Sequence, residues 1–127
     1  MAKTLREAAK EGVTDPSVAT DKWVHILEYD HRFGTDILAF DTDEALDAYV
    51  YYILMENLSE LSTDSEAADT LRQDIIAQYD MYVPGEDAGD LWDLARRWET
   101  LQNESFNATK QQVYTMDWSN LGVGTAH

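Results

Sequence analysis

Residues 41–104 carry seventeen acidic side chains and only three basic ones, Arg72, Arg96 and Arg97. No lysine occurs between Lys22 and Lys110. Burying a carboxylate without a partner is costly. Any fold built from this stretch must therefore turn nearly all of these groups outward and draw its core from the residues between them. The whole chain holds 25 Asp and Glu against 9 Lys and Arg, a formal net charge of −16. A field of that sign repels nucleic acid and attracts basic protein surfaces.

Material for a core is present. Hydrophobic residues make up 44% of the 127 and aromatics 11%, which excludes a disordered acidic tail poor in rings. The length suits one domain. Residues 1–21 read as a short helix and connector, and 22–127 as a single acidic domain. Thr4-Leu5-Arg6-Glu7 has the form of a capping box, with a helix to Glu11 and Gly12 as its stop. Val13–Asp21 contains Pro16 and small polar residues and reads as a connector.

The rest resolves into elements by periodicity. Trp23, His25, Leu27 and Tyr29 alternate as one face of a strand. Arg32-Phe33-Gly34-Thr35 reads as a hairpin turn and Ile37–Phe40 as the returning strand. Asp41-Thr42-Asp43-Glu44 resembles a capping box with Asp41 as cap. The helix after it is expected to reach Leu61, with Leu46, Val50, Ile53, Leu54 and Leu61 inward. Between Ala48 and Met55 this helix is apolar nearly all round, as in helices buried on two sides. Thr63-Asp64-Ser65-Glu66 signals a second start, followed by Ala68, Leu71, Ile75, Tyr79 and Tyr82 at helical spacing and ended by Pro84-Gly85. Asp87 or Asp90 can cap a third helix, with Leu91, Leu94, Ala95, Trp98 and Leu101 on one stripe. Asn103–Thr109 reads as loop, Gln112–Trp118 as a last strand, and Gly-rich Leu121–His127 as loose. Segregated strands and helices predict an α+β fold: a small antiparallel sheet, made of the N-terminal hairpin and a C-terminal strand, packed by three helices.

Catalytic signatures are missing. There is no Cys, no Gly-x-Ser-x-Gly elbow and no phosphate-binding glycine loop. His25, Asp30, His31 and Asp36 are the best candidates for a metal-assisted site, since imidazole and carboxylate bind Zn and similar ions. Along a strand, however, His25 and His31 lie roughly 20 Å apart at about 3.3 Å per residue. A turn histidine held by a nearby Asp accounts for His31 equally well. The expectation is a non-enzymatic chain with no cofactor and no metal. Lack of Cys and of an apolar N-terminal run gives a cytoplasmic expectation, and the apolar stretch Tyr49–Met55 is too short to span a membrane. Arg96-Arg97, flanked by Asp93 and Glu99, reads as a source of internal salt bridges rather than a nucleic-acid contact, since binding phosphates needs clustered cations.

The acidic surface is the remaining signal. Carboxylates three or four residues apart on a helix lie roughly 5–6 Å from each other. Rows of them approach the charge density of a duplex, about one charge per 1.7 Å of axis. In size and charge the chain resembles the bacteriophage anti-restriction and anti-CRISPR inhibitors that mimic DNA, without sharing a motif with them. That resemblance implies a basic protein surface as partner, such as that of a nucleic-acid-binding enzyme. The expected contact residues are Asp43, Asp47, Glu60, Asp64, Glu66, Asp69 and Asp74. Two other readings compete with it. One is generic acidity or adaptation to high salt, where net charge serves solubility. The other is a homodimer through the Tyr49–Met55 helix, whose residue types are enriched at interfaces.

Overall fold

The computed structural model describes residues 16–117. The expected helix at Thr4–Glu11, Trp118 and the segment Leu121–His127 lie outside the described residues. The element order is β1 (Ser17–His31), β2 (Gly34–Phe40), α1 (Asp43–Glu56), a 3-10 turn (Leu58–Glu60), α2 (Glu66–Met81), α3 (Leu91–Gln102) and β3 (Ser105–Met116). The strands form one antiparallel sheet in the order β2-β1-β3, so the fold is α+β as the pattern of segregated elements predicts.

The described residues divide into two compact units, 16–23 with 112–117, and Val24–Gln111. Within the first, the early part of β1 pairs with the end of β3. Thr20 Oγ1 donates to the Val113 carbonyl at 2.6 Å, the Gln112 side-chain amide Nε2 donates to the Thr20 carbonyl at 2.9 Å, and Asp117 N–H donates to the Pro16 carbonyl at 2.7 Å. The segment Ser17–Asp21, read as connector, is therefore strand. Its short sequence of mixed, mostly exposed side chains gives no alternation, and its order comes from pairing with residues more than ninety positions away.

The second unit holds the core. β1 and β2 pair from His25 opposite Phe40 to His31 opposite Gly34, leaving Arg32-Phe33 as a two-residue turn. Gly34 closes it at φ 128°, a conformation that side-chain-bearing residues rarely adopt. His25, Leu27 and Tyr29 are buried, and Leu27 and Tyr29 join the helices in one apolar cluster. Trp23 at the head of that stripe is 42% exposed.

Helix starts follow side-chain capping. Thr42, not Asp41, caps α1: its φ of −140° and ψ of 157° are extended, and its hydroxyl accepts from Ala45 N–H. Ser65 does the same for α2, accepting from Ala68 N–H. Asp90 stands at the N-cap position of α3 with no side-chain capping bond, whereas Asp87 Oδ1 accepts from Gly89 N–H. Acidic residues in each first turn complement the helix dipole. α1 ends at Glu56, five residues before the expected Leu61: the backbone leaves helical geometry at Asn57 (φ −108°, ψ 15°), whose side-chain amide donates to the Ile53 carbonyl at 2.8 Å. The Leu58–Glu60 turn then delivers Leu61 into the core. α2 stops at Met81, before Pro84-Gly85. α3 ends on Asn103 at φ 54°, a left-handed cap that Asn tolerates. β3 begins at Ser105, so residues 105–109, read as loop, are strand.

α1 touches β2, α2 and α3, which explains its apolar character on more than one side. Val50, Tyr51 and Leu54 are fully buried, Tyr49 and Met55 are half-buried against the core, and Tyr52 is 51% exposed. Tyr51 keeps its hydroxyl satisfied by donating to the Ala88 carbonyl at 2.6 Å. Tyr79 and Leu101, placed on inner stripes by spacing, are partly exposed instead.

One carboxylate ties the sheet to α3. Glu104 Oε1 accepts from the Tyr29 hydroxyl at 2.6 Å and from Trp98 Nε1 at 2.8 Å. The Tyr29 ring stacks on Phe106 at 4.6 Å between centroids. Burial, followed by the Glu104 hydrogen bond, raises the Tyr29 pKa, so the phenol stays a proton donor. Glu104→Ala strips the acceptor from two buried donors and is expected to cost about 2 kcal/mol or more in urea unfolding, since each orphaned group costs roughly 1–3 kcal/mol. Glu104→Gln keeps an acceptor and should cost clearly less. Equal losses in the two variants would contradict this role.

Candidate functional site

The acidic surface has its geometry set by a shortage of cations. The unit Val24–Gln111 contains Arg32, Arg72, Arg96, Arg97 and Lys110 as its only Lys and Arg residues, facing the seventeen acids of residues 41–104. All four arginines are bonded inside the unit. Arg72 Nη2 donates to the Leu61 carbonyl at 2.8 Å, and its Nη1 lies 3.1 Å from Asp69. Arg96 donates to the Phe106 carbonyl at 3.0 Å and to Glu99 at 2.7 Å, while Glu99 also accepts from Phe106 N–H at 2.6 Å. Arg97 bridges two helices, 2.9 Å from Asp74 on α2 and 3.8 Å from Asp93 on α3. Arg32 lies 3.8 Å from Glu60. Arg96-Arg97 therefore serves the interior of the unit, as the flanking acids suggest.

The seven expected contact residues fall into distinct neighbourhoods. Asp64, Glu66 and Asp69 gather where the loop enters α2, and all three are exposed. Glu60 belongs to the 3-10 turn beside Arg32. Asp74 is half-buried in its bridge to Arg97. Asp43 and Asp47, one turn apart on α1, stand beside β1. Asp43 Oδ1 is 2.5 Å from His25 Nδ1, and Asp47 Oδ1 accepts from Trp92 Nε1 at 3.2 Å. The seven thus split between open surface (Asp64, Glu66 and Asp69, the last in an i,i+3 pair with Arg72) and positions that contact other elements. The bonds made by Glu99, Glu104 and Asp47 join groups that sequence spacing does not relate, apart from the i,i+3 pair of Arg96 with Glu99.

The histidines go to separate carboxylates. His31 Nε2 sits 2.9 Å from Asp36 Oδ2, and its Nδ1 accepts from Phe33 N–H at 3.2 Å, which places the ring proton on Nε2. Asp30 accepts from the Thr35 hydroxyl across the hairpin and from Ser105. His25 is 9% exposed and faces Asp43 on α1. His25, Asp30 and His31 do not converge, and among the described residues no group of three or more His, Asp or Glu is placed to hold a metal ion. Also among the described residues, no helix is long and apolar enough to cross a membrane. Compared with protein-family models, with curated proteins and with solved structures, the chain matches none.

Asp47 has its pKa raised, first by burial and then, against the Trp92 hydrogen bond, by the neighbouring charges of Asp43 and Glu44. A carboxyl whose folded pKa lies above its unfolded one disfavours the fold once ionised. That penalty is absent below the ordinary value of 3.8 and grows as pH rises through the raised one. Asp47→Asn, which keeps an acceptor for Trp92, is therefore expected to raise stability at pH 7 and to lose that advantage below pH 3.8, read by urea unfolding across pH. A variant less stable than the parent at pH 7 would contradict the assignment.

Proposed function

We propose that the chain is a small non-enzymatic binding protein that presents an acidic helical surface to a basic surface on another protein. In this reading it acts as an inhibitor that imitates nucleic acid, in a phage or mobile-element setting. The observation that carries the proposal is the disposition of the arginines. All four in the α-helical unit are already bonded internally, so the surplus of carboxylates stays on the surface as an uncompensated field. Such a field steers a basic partner toward the surface and draws its strength from long-range attraction. The patch of Asp64, Glu66 and Asp69 at the start of α2 is exposed at all three side chains.

The test is capture of host proteins by the tagged full chain. The expected partner is a nucleic-acid-binding protein that is retained at low salt, released at high salt and displaced by added duplex DNA. Asp64→Lys, Glu66→Lys and Asp69→Lys combined should abolish that capture. The fold should survive, because all three side chains are exposed and Arg72 keeps its bonds to the Leu61 and Ser62 carbonyls when the Asp69 pair is lost. Capture that persists in the triple variant, or that DNA does not displace, would refute the electrostatic mechanism.

A further inference from the structure

We infer that the cleft between the β1–β2 turn and α1 receives an arginine side chain of the basic partner. This rests on the reading of the protein as a binder of basic surfaces and names the point where such a surface is anchored. The cleft has a volume of about 320 Å³, within the usual range of ligand pockets. Its walls combine rings and carboxylates. α1 supplies Tyr49, Tyr52 and Glu56 at helical spacing, the hairpin supplies Phe33 and Asp36, and the 3-10 turn supplies Glu60. Tyr49 and Tyr52 lie with centroids 5.7 Å apart, and Tyr52 and Phe33 are strongly exposed. A flat guanidinium suits this lining because it can stack on a ring face while its N–H groups bond carboxylate oxygens.

The chain itself carries a stand-in for that ligand. Arg32 also lines the cleft, with its Cζ 4.7 Å above the centre of the Phe33 ring and its Nη2 3.8 Å from Glu60. The site thus already holds a guanidinium by the two contacts a partner's arginine would make. It holds it loosely: the Arg32 side chain is 71% exposed, and an ion pair of that length on the surface contributes little. A partner's arginine can displace it and exchange two weak internal contacts for contacts across the interface. Arg32 then acts as a competitor, and its removal strengthens binding.

The probe is N-acetyl-triarginine amide, titrated into the ¹⁵N-labelled full chain at low salt and followed by backbone amide shifts, with N-acetyl-trilysine amide as the comparison. Saturable shifts should centre on residues 33–36 and 49–60, and arginine should bind more tightly than lysine. Arg32→Gln should tighten binding and Tyr52→Leu should weaken it, each roughly two- to fivefold, the range expected for an exposed cation–ring contact. Both substitutions lie at exposed side chains, and Arg32→Gln alone decides the matter if Tyr52→Leu perturbs the fold. Shifts spread over residues 64–74 and 86–90, with an affinity that Arg32→Gln leaves unchanged or lowers, would overturn the cleft and leave the acidic-surface reading intact. Absence of any binding at low salt would overturn both.

Discussion

The constraint on which the rest of the structure depends is the scarcity of cations inside an acidic unit. With four arginines and one lysine between Val24 and Gln111, charge neutralisation cannot organise the surface. The arginines instead stabilise backbone and packing. Arg72 closes the loop before α2 through the Leu61 and Ser62 carbonyls, Arg96 holds the start of β3 through the Phe106 carbonyl, and Arg97 joins α2 to α3. These three have fixed architectural partners, whereas Arg32 is held only loosely near Glu60, and most of the remaining carboxylates face water. The same distribution gives the unit both its internal order and its external field.

Two carboxylates that enter the interior are held by neutral donors, while Glu99 pairs with Arg96. Glu104 takes two, from Tyr29 and Trp98, and Asp47 takes one, from Trp92. Indole and phenol donors satisfy a buried acceptor without requiring another cation. This gives the abundant Trp and Tyr a second task besides filling the core. Among the described residues no buried side-chain N or O lacks a partner. At Glu104 and Asp47 aromatic donors thus stand where a cation could otherwise face the acid.

Much of this was legible in the sequence, and the misses share one physical origin. The stripe Leu46, Val50, Ile53, Leu54 and Leu61 is buried as its spacing indicates, and Leu91, Leu94, Ala95 and Trp98 likewise, because a helix shows its core face locally. The hairpin was visible for the same reason. Ser17–Asp21 and Ser105–Thr109 were not, because Phe106 alone is buried among those strand residues and their order is set by distant pairing partners. The α1 cap lies one residue after the Asp41 that propensity favours, because the extended backbone and the bond from Ala45 N–H fall at Thr42. At the candidate surface the excess charge was plain in the sequence. The links from Asp74 to Arg97 and from Asp43 to His25 were not, because they join elements far apart along the chain.

The most direct test of the central claim is the salt dependence of the fold itself. Urea unfolding of the full chain would be measured at about 10 mM and about 150 mM sodium chloride, where screening lengths are roughly 30 Å and 8 Å. Exposed carboxylates without cations repel one another, and screening relieves that repulsion. The account therefore requires the protein to become more stable as salt rises. Stability that is unchanged or falls with salt would mean that the acids are neutralised within the fold, and would contradict the uncompensated surface on which the proposed function depends.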